Sequence, residues 1–167
     1  MQLRLLGPAD AQAFQQIRLD ALRDTPSAFS SSYEEERDTP LAAVADQLTA
    51  QPDRFVIGAF ENGRLVGIAG LHREEQAKLS HKAVLWGVYV APDARKRGTG
   101  RELLARAIEE AASMPGLTQV NLSVNSANVA ALALYEALGF SSFGLERGYL
   151  QVDGVLHDEI HMVRPLP

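Results

Sequence analysis

The 167-residue chain contains no cysteine. That excludes disulfide cross-links, thiolate metal sites and a cysteine nucleophile together, and it is consistent with a cytoplasmic enzyme. Positive charge is also short. Sixteen Lys and Arg stand against 21 Asp and Glu, a formal net charge of -5, whereas broad nucleic-acid binding needs a basic face. No apolar run approaches the roughly 20 residues of a membrane span. The opening residues, 1–7, alternate apolar and polar and carry Arg4, unlike the apolar core of a signal peptide. The expectation is a cytoplasmic protein without nucleic-acid or membrane partners. His72, His81, His157 and His161 fall at no metal-ligand spacing, so no metal is expected and surface or strand-face positions are read for all of them.

What the chain does have is the composition of one globular domain, 46% hydrophobic and 22% charged, with no repeat or linker to divide it. A single domain over residues 1–167 follows. Leu3 and Leu5 alternate with polar neighbours, as in a short strand. Pro8 and Asp10 suit a helix start, and Phe14, Ile17, Ala21 and Leu22 give that helix an apolar face. The acidic, serine-rich stretch 24–38 reads as a loop. Thr39-Pro40 reads as cap and first position of a helix with Leu41, Val44 and Leu48 on one side.

Apolar runs 55–60 and 65–71 flank Asn62-Gly63, a hairpin signal. A strand over 83–90 stops at Pro92. A helix from about Gly98 places Leu103, Leu104, Ala107, Ile108 and Ala111 on one face. A strand over 120–124 and a helix over 129–138 follow, the helix stopped by Gly139, and two last strands flank Asp153-Gly154. The order β-α-α-β-β-β-α-β-α-β-β implies an α/β (α+β) mixed sheet with helices on both faces.

Two stretches carry chemistry. In the first, the strand ending Val88-Tyr89-Val90 runs through Arg95-Lys96-Arg97-Gly98-Thr99-Gly100-Arg101 into a helix. Glycines there let backbone N–H groups approach a ligand, and the start of a helix favours negative charge. With four cations crowding the turn, the local chemistry asks for a phosphate. The spacing is not that of a P-loop, and Leu103 stands where a dinucleotide fingerprint needs its third glycine. In the second stretch, Ser126 or Asn128 can cap a helix that carries Tyr135 near the same side. Read singly, Asn128 is a cap and Tyr135 a packing residue with a wet hydroxyl.

Together the stretches resemble the GNAT acetyltransferase superfamily. Arg95-x-x-Gly98-x-Gly100 is similar to its acyl-CoA motif. Asn125-x-x-Asn128, followed by Ala133-Leu134-Tyr135-Glu136-Ala137-Leu138-Gly139-Phe140, is similar to its second motif. The resemblance implies a mostly antiparallel sheet of about seven strands with a splayed central parallel pair. It implies acetyl-CoA as co-substrate, held by Val88 and Val90 at the pantetheine, by Arg97 to Arg101 at the pyrophosphate with Arg95 and Lys96 flanking, and by Asn128 at the cofactor arm. Tyr135 would protonate the leaving thiolate, and the product would be an N-acetylated amine, small molecule or peptide.

Tyr33, Glu34 and Trp86 are candidates for the acceptor site. The strand that often bears a glutamate in relatives carries none here, so Glu34, Glu35, Glu36, Tyr89 and His81 all stand open as the base. The final strands offer an edge for a homodimer. A non-catalytic acyl-CoA sensor and a nucleotide-binding domain are the alternatives.

Overall fold

The computed structural model describes residues 1–167. Seven strands form one sheet in the order β1-β2-β3-β4-β5-β7-β6: β1 (Gln2–Leu5), β2 (Arg54–Glu61), β3 (Arg64–Arg73), β4 (Lys82–Val90), β5 (Gln119–Asn125), β6 (Ser141–Val152) and β7 (Val155–Pro165). Every neighbouring pair is antiparallel except β4 with β5. The expected mixed sheet with one central parallel pair is therefore present. Two hairpins turn on residues with positive φ, Asn62 (49°) with Gly63 (79°) and Asp153 (48°) with Gly154 (80°). That pairing is the mirror-image turn whose twist matches the strands on either side.

The helices are α1 (Ala11–Asp24), α2 (Tyr33–Glu36), α3 (Leu41–Gln47), α4 (Thr99–Ala112) and α5 (Val129–Ala137). Strand alternation sends side chains to two cores. Ile57, Ala59, Val66, Ala83, Leu85, Val120 and Leu122 face Leu103, Leu104, Ala107 and Ala111 of α4, and Tyr135 and Leu138 close that core from the α5 side. On the other face Val56, Leu65, Ile68 and Tyr89 pack against Phe14, Ile17 and Ala21 of α1 and Val44 of α3. The face expected for α4 is the face it buries. β1 and β6 are the sheet edges, and Phe143 and Leu145 lie exposed on β6.

Two local readings change. The stretch 24–38 is not all loop: Ser32 and Glu35 make a reciprocal cap, with the Ser32 N–H donating to the Glu35 carboxylate at 2.7 Å and the Glu35 N–H to Ser32 Oγ at 3.3 Å. That cap sets up the single turn of α2. Thr39 is not a cap either, because Pro40 occupies the capping position of α3 and no side chain bonds there.

β3 carries little bulk where β4 crosses it. A Cβ built on Gly70 would stand 2.3 Å from the Trp86 indole. Gly70→Val is expected to destabilise the fold by about 1–3 kcal/mol through overpacking, read from urea denaturation; an unchanged midpoint would show that the indole swings clear.

Candidate functional site

The site is built where β4 and β5 stop pairing. Their parallel register covers Lys82 with Gln119, Ala83 with Val120 and Val84 with Asn121, and no further. On the other side of β4 the register with β3 slips between Tyr89 and Trp86, which leaves Gly87 and Val88 opposite one residue of β3. Gly87 has φ +62°, the left-handed region that glycine enters without a Cβ penalty. This bulge bends β4 and turns its far half away from β5. A slot opens between the two strands, with Val88 and Val90 on one wall and Leu122 to Asn125 on the other.

At the mouth of the slot β4 passes through the turn 92–94 into α4. Lys96 (φ 60°) and Gly98 (φ 86°) are both left-handed, and Gly98 is the residue that starts α4. An ordinary residue there costs roughly 1–2 kcal/mol. None of the backbone N–H groups from Lys96 to Arg101 has an acceptor within the protein; Glu102 is the first to bond back, to the Gly98 carbonyl at 3.0 Å. They are the free donors of a helix start, with the positive end of its dipole behind them. Gly100 is the contact point: a Cβ on it would sit 3.4 Å from Leu134 and 3.7 Å from Val90. The start of α4, the end of β4 and α5 therefore meet at one place.

The four cations of this turn divide. Arg95 donates its Nε to the Val90 carbonyl at 2.8 Å, pairs with Asp24 and lies 5.4 Å from the Tyr89 ring centre. Arg97 bonds the Asp93 carbonyl and pairs with Glu61. Both hold the loop in shape. Lys96 and Arg101 are exposed and enter no ion pair, so their charge faces outward. Asn128 caps α5, its Oδ1 accepting from the Ala131 N–H at 3.2 Å. Tyr135 is 7% exposed, edge-on to Phe140 at 5.8 Å. Burial alone raises its phenol above the ordinary range, which keeps the proton on at neutral pH.

The acceptor candidates lie on the opposite face of the sheet. Trp86 and Glu36 line a cavity of about 620 Å³ between α1, α3 and strands β2 to β4. Glu36 is held by Arg18 through two bonds of 2.8 and 2.9 Å. Tyr33 carries the Arg23 guanidinium over its ring at 4.1 Å, and Glu34 is exposed without a partner.

Of the base candidates, Glu35 belongs to its cap and Glu36 to Arg18. Tyr89 donates to Asp24 at 3.2 Å, and burial together with that carboxylate pushes its phenol up to about 12. His81 precedes β4 at the end where the strands still pair.

Glu159 escaped the sequence reading. It is 6% exposed on β7, level with Asn125 of β5, and its Oε2 is buried without a hydrogen bond. Burial raises its carboxyl above the ordinary range, opposed by His161 and reinforced by Glu146. Strand alternation was the available signal: Ile160 and Met162 face the α4 core, so His157, Glu159 and His161 share the other face. No group of three or more His, Asp and Glu side chains converges to hold a metal ion.

With its folded pKa raised, Glu159 binds its proton more tightly in the native state. Its presence therefore costs stability as pH rises from the ordinary glutamate value, about 4.3, through the raised one. Glu159→Gln is expected to raise the melting temperature at neutral pH and to leave it unchanged below that window. Equal melting curves at neutral pH would contradict the burial.

The family model for the acetyltransferase (GNAT) family matches residues 14–140. Among curated proteins, the [ribosomal protein bS18]-alanine N-acetyltransferase of Salmonella typhimurium is 38% identical over 85 residues, 51% of this chain and 57% of that protein. The chain thus spans just over half the length of that relative. The N-alpha-acetyltransferase RimI of Mycobacterium tuberculosis is 38% identical over 115 residues, 69% of each chain. Among solved structures, yncA from Salmonella typhimurium with its cofactor acetyl-CoA superposes with a TM-score of 0.82 at 26% identity, covering 100% of this chain and 94% of that one.

Proposed function

The chain belongs to the GNAT acetyltransferase family, and on that premise we propose that residues 1–167 act as one domain that moves an acetyl group from acetyl-CoA to a primary amine. The observation that carries this reading is the row of unbonded N–H groups from Lys96 to Arg101 beside a slot between parted strands. A diphosphate supplies the acceptors those donors lack. Lys96 and Arg101 add charge without a competing partner. The pantetheine arm, with two amides, is shaped to lie along the unpaired edge of β4 at Val88 and Val90. The relatives' names point to α-amino acceptors, which supports a peptide N-terminus or an amino acid as the amine.

Chemically, the amine attacks the thioester carbon in its neutral form, so the ammonium first loses a proton. The tetrahedral oxyanion is stabilised by backbone N–H groups of β4 near Val90. As the C–S bond breaks, Tyr135 donates its hydrogen to sulfur. A phenol that burial keeps protonated is suited to that task.

Tyr135→Phe is expected to lower kcat by about 100-fold while CoA affinity stays within about two-fold, measured by free-thiol release and calorimetry; full activity in the variant would remove Tyr135 from the acid role. Gly98→Asp places a bulky anion in a left-handed position among the free donors. It is expected to abolish thermal stabilisation by CoA, and undiminished stabilisation would refute the pyrophosphate assignment. Stabilisation by CoA with no thiol release across a broad amine panel would favour a sensor instead.

A further inference from the structure

We propose that Ser123, His161 and Glu146 form the relay that takes a proton from the acceptor ammonium; this rests on the acetyl-transfer reading above. Ser123 lies on β5 two residues beyond Asn121, the last residue of β5 paired with β4, so it stands inside the opened slot. It is exposed, and it faces away from Leu122 and Val124, which enter the α4 core. Trp86 stands on the same face of the sheet across the slot, packed with the α1 core. An amine that approaches from the face opposite α4 passes between them.

Ser123 Oγ is 2.9 Å from His161 Nδ1, and His161 Nε2 is 3.1 Å from Glu146 Oε2. The carboxylate fixes the tautomer. An ionised Glu146 only accepts, so Nε2 carries the hydrogen, Nδ1 is left as an acceptor, and the Ser123 hydroxyl must donate to it. The serine oxygen then presents its free lone pairs to the slot, with a base behind it and a counter-ion behind the base. Three strands hold the set: Ser123 and His161 are direct partners in the β5–β7 register, and Glu146 comes from β6.

The polar groups that face His161 are Ser123 from β5, Glu146 and Tyr149 from β6, and Glu159 two residues along its own strand, with the Phe143 ring 6.0 Å away. The Tyr149 ring centre is 6.3 Å away, and its hydroxyl lies 3.4 Å from Ser30 in the segment after α1. That segment roofs the cluster, with the Ser27 carbonyl accepting from Asn125 at 3.1 Å.

The proton balance closes. The ammonium gives one proton to Ser123 Oγ as the serine proton passes to His161 Nδ1. The imidazolium, held by Glu146, releases it to solvent. The neutral amine forms the C–N bond, and the nitrogen's second proton leaves as the C–S bond breaks. That second proton passes to solvent, and solvent returns one proton to the Tyr135 phenolate, whose own hydrogen has gone to sulfur. The products are the amide, CoA thiol and one proton. Ser123 meets the ammonium and is the catalytic group. His161 is the base acting through it, and Glu146 positions the ring.

The test is the pH profile of kcat for wild type, His161→Gln, Ser123→Ala and Glu146→Gln, with the fastest acceptor among an alanine-initiated peptide, free L-amino acids and spermidine. At neutral pH, His161→Gln and Ser123→Ala are expected to lose about 100-fold in kcat with acetyl-CoA KM within about two-fold. The deficit should close as pH rises past the acceptor amine's own pKa, about 8 for a peptide α-amine and about 10 for a lysine-like amine, where the amine deprotonates unaided. Glu146→Gln should show a smaller loss that closes in the same direction. Thermal stabilisation by CoA in each variant certifies the fold. A kcat unchanged at neutral pH, or a deficit constant across pH, overturns the relay while leaving acetyl transfer standing. Wild type that is stabilised by CoA but releases thiol with none of these amines sinks the transfer reading and the relay with it.

Discussion

The whole arrangement depends on two parallel strands ceasing to bond to each other. β4 and β5 share three residue pairs and then part, forced by a bulge whose left-handed Gly87 turns the chain. Backbone groups in a sheet interior are normally paired, and leaving them open is costly. Here a strand edge is exposed in the middle of a seven-stranded sheet, not at its rim. In the proposed reading, a ligand with peptide-like groups completes it.

The charge distribution follows from that geometry. The protein is acidic overall, yet the proposed donor mouth is a helix start with free N–H groups. Anion binding of this kind is supplied chiefly by backbone dipoles and needs few cations. Two of the four basic residues at the turn are consequently free to serve as internal struts. Arg95 ties the loop to Asp24 and Val90, and Arg97 ties it to Asp93 and Glu61. Their positive charge stays near the site while their hydrogen bonds set the loop's shape.

Much of this was legible in the sequence, for a local reason. Strand alternation, Asn-Gly and Asp-Gly turns and the apolar face of α4 are short-range patterns, and each element they announce is present. Gly98 was legible as a helix start, because a glycine just before an apolar helical stripe reports a left-handed backbone. What depends on a distant partner was not. Nothing near Arg95 reveals that Asp24 will claim it, whereas the cap read for Asn128 is present, its side chain accepting from Ala131. His161 read as a strand-face residue, as it is, but its neighbours Ser123 and Glu146 come from other strands. The reciprocal cap of Ser32 and Glu35 was visible in principle, yet it was hidden within an acidic run.

The row of free amides can be followed directly by titrating isotope-labelled protein with CoA and reading each backbone amide by NMR. The largest shifts are expected on Arg97 to Arg101 and along β4 at Val88 and Val90, with smaller changes in the 620 Å³ cavity lined by Glu36. Shifts concentrated in that cavity, with the amides of Arg97 to Arg101 unmoved, would contradict the pyrophosphate assignment.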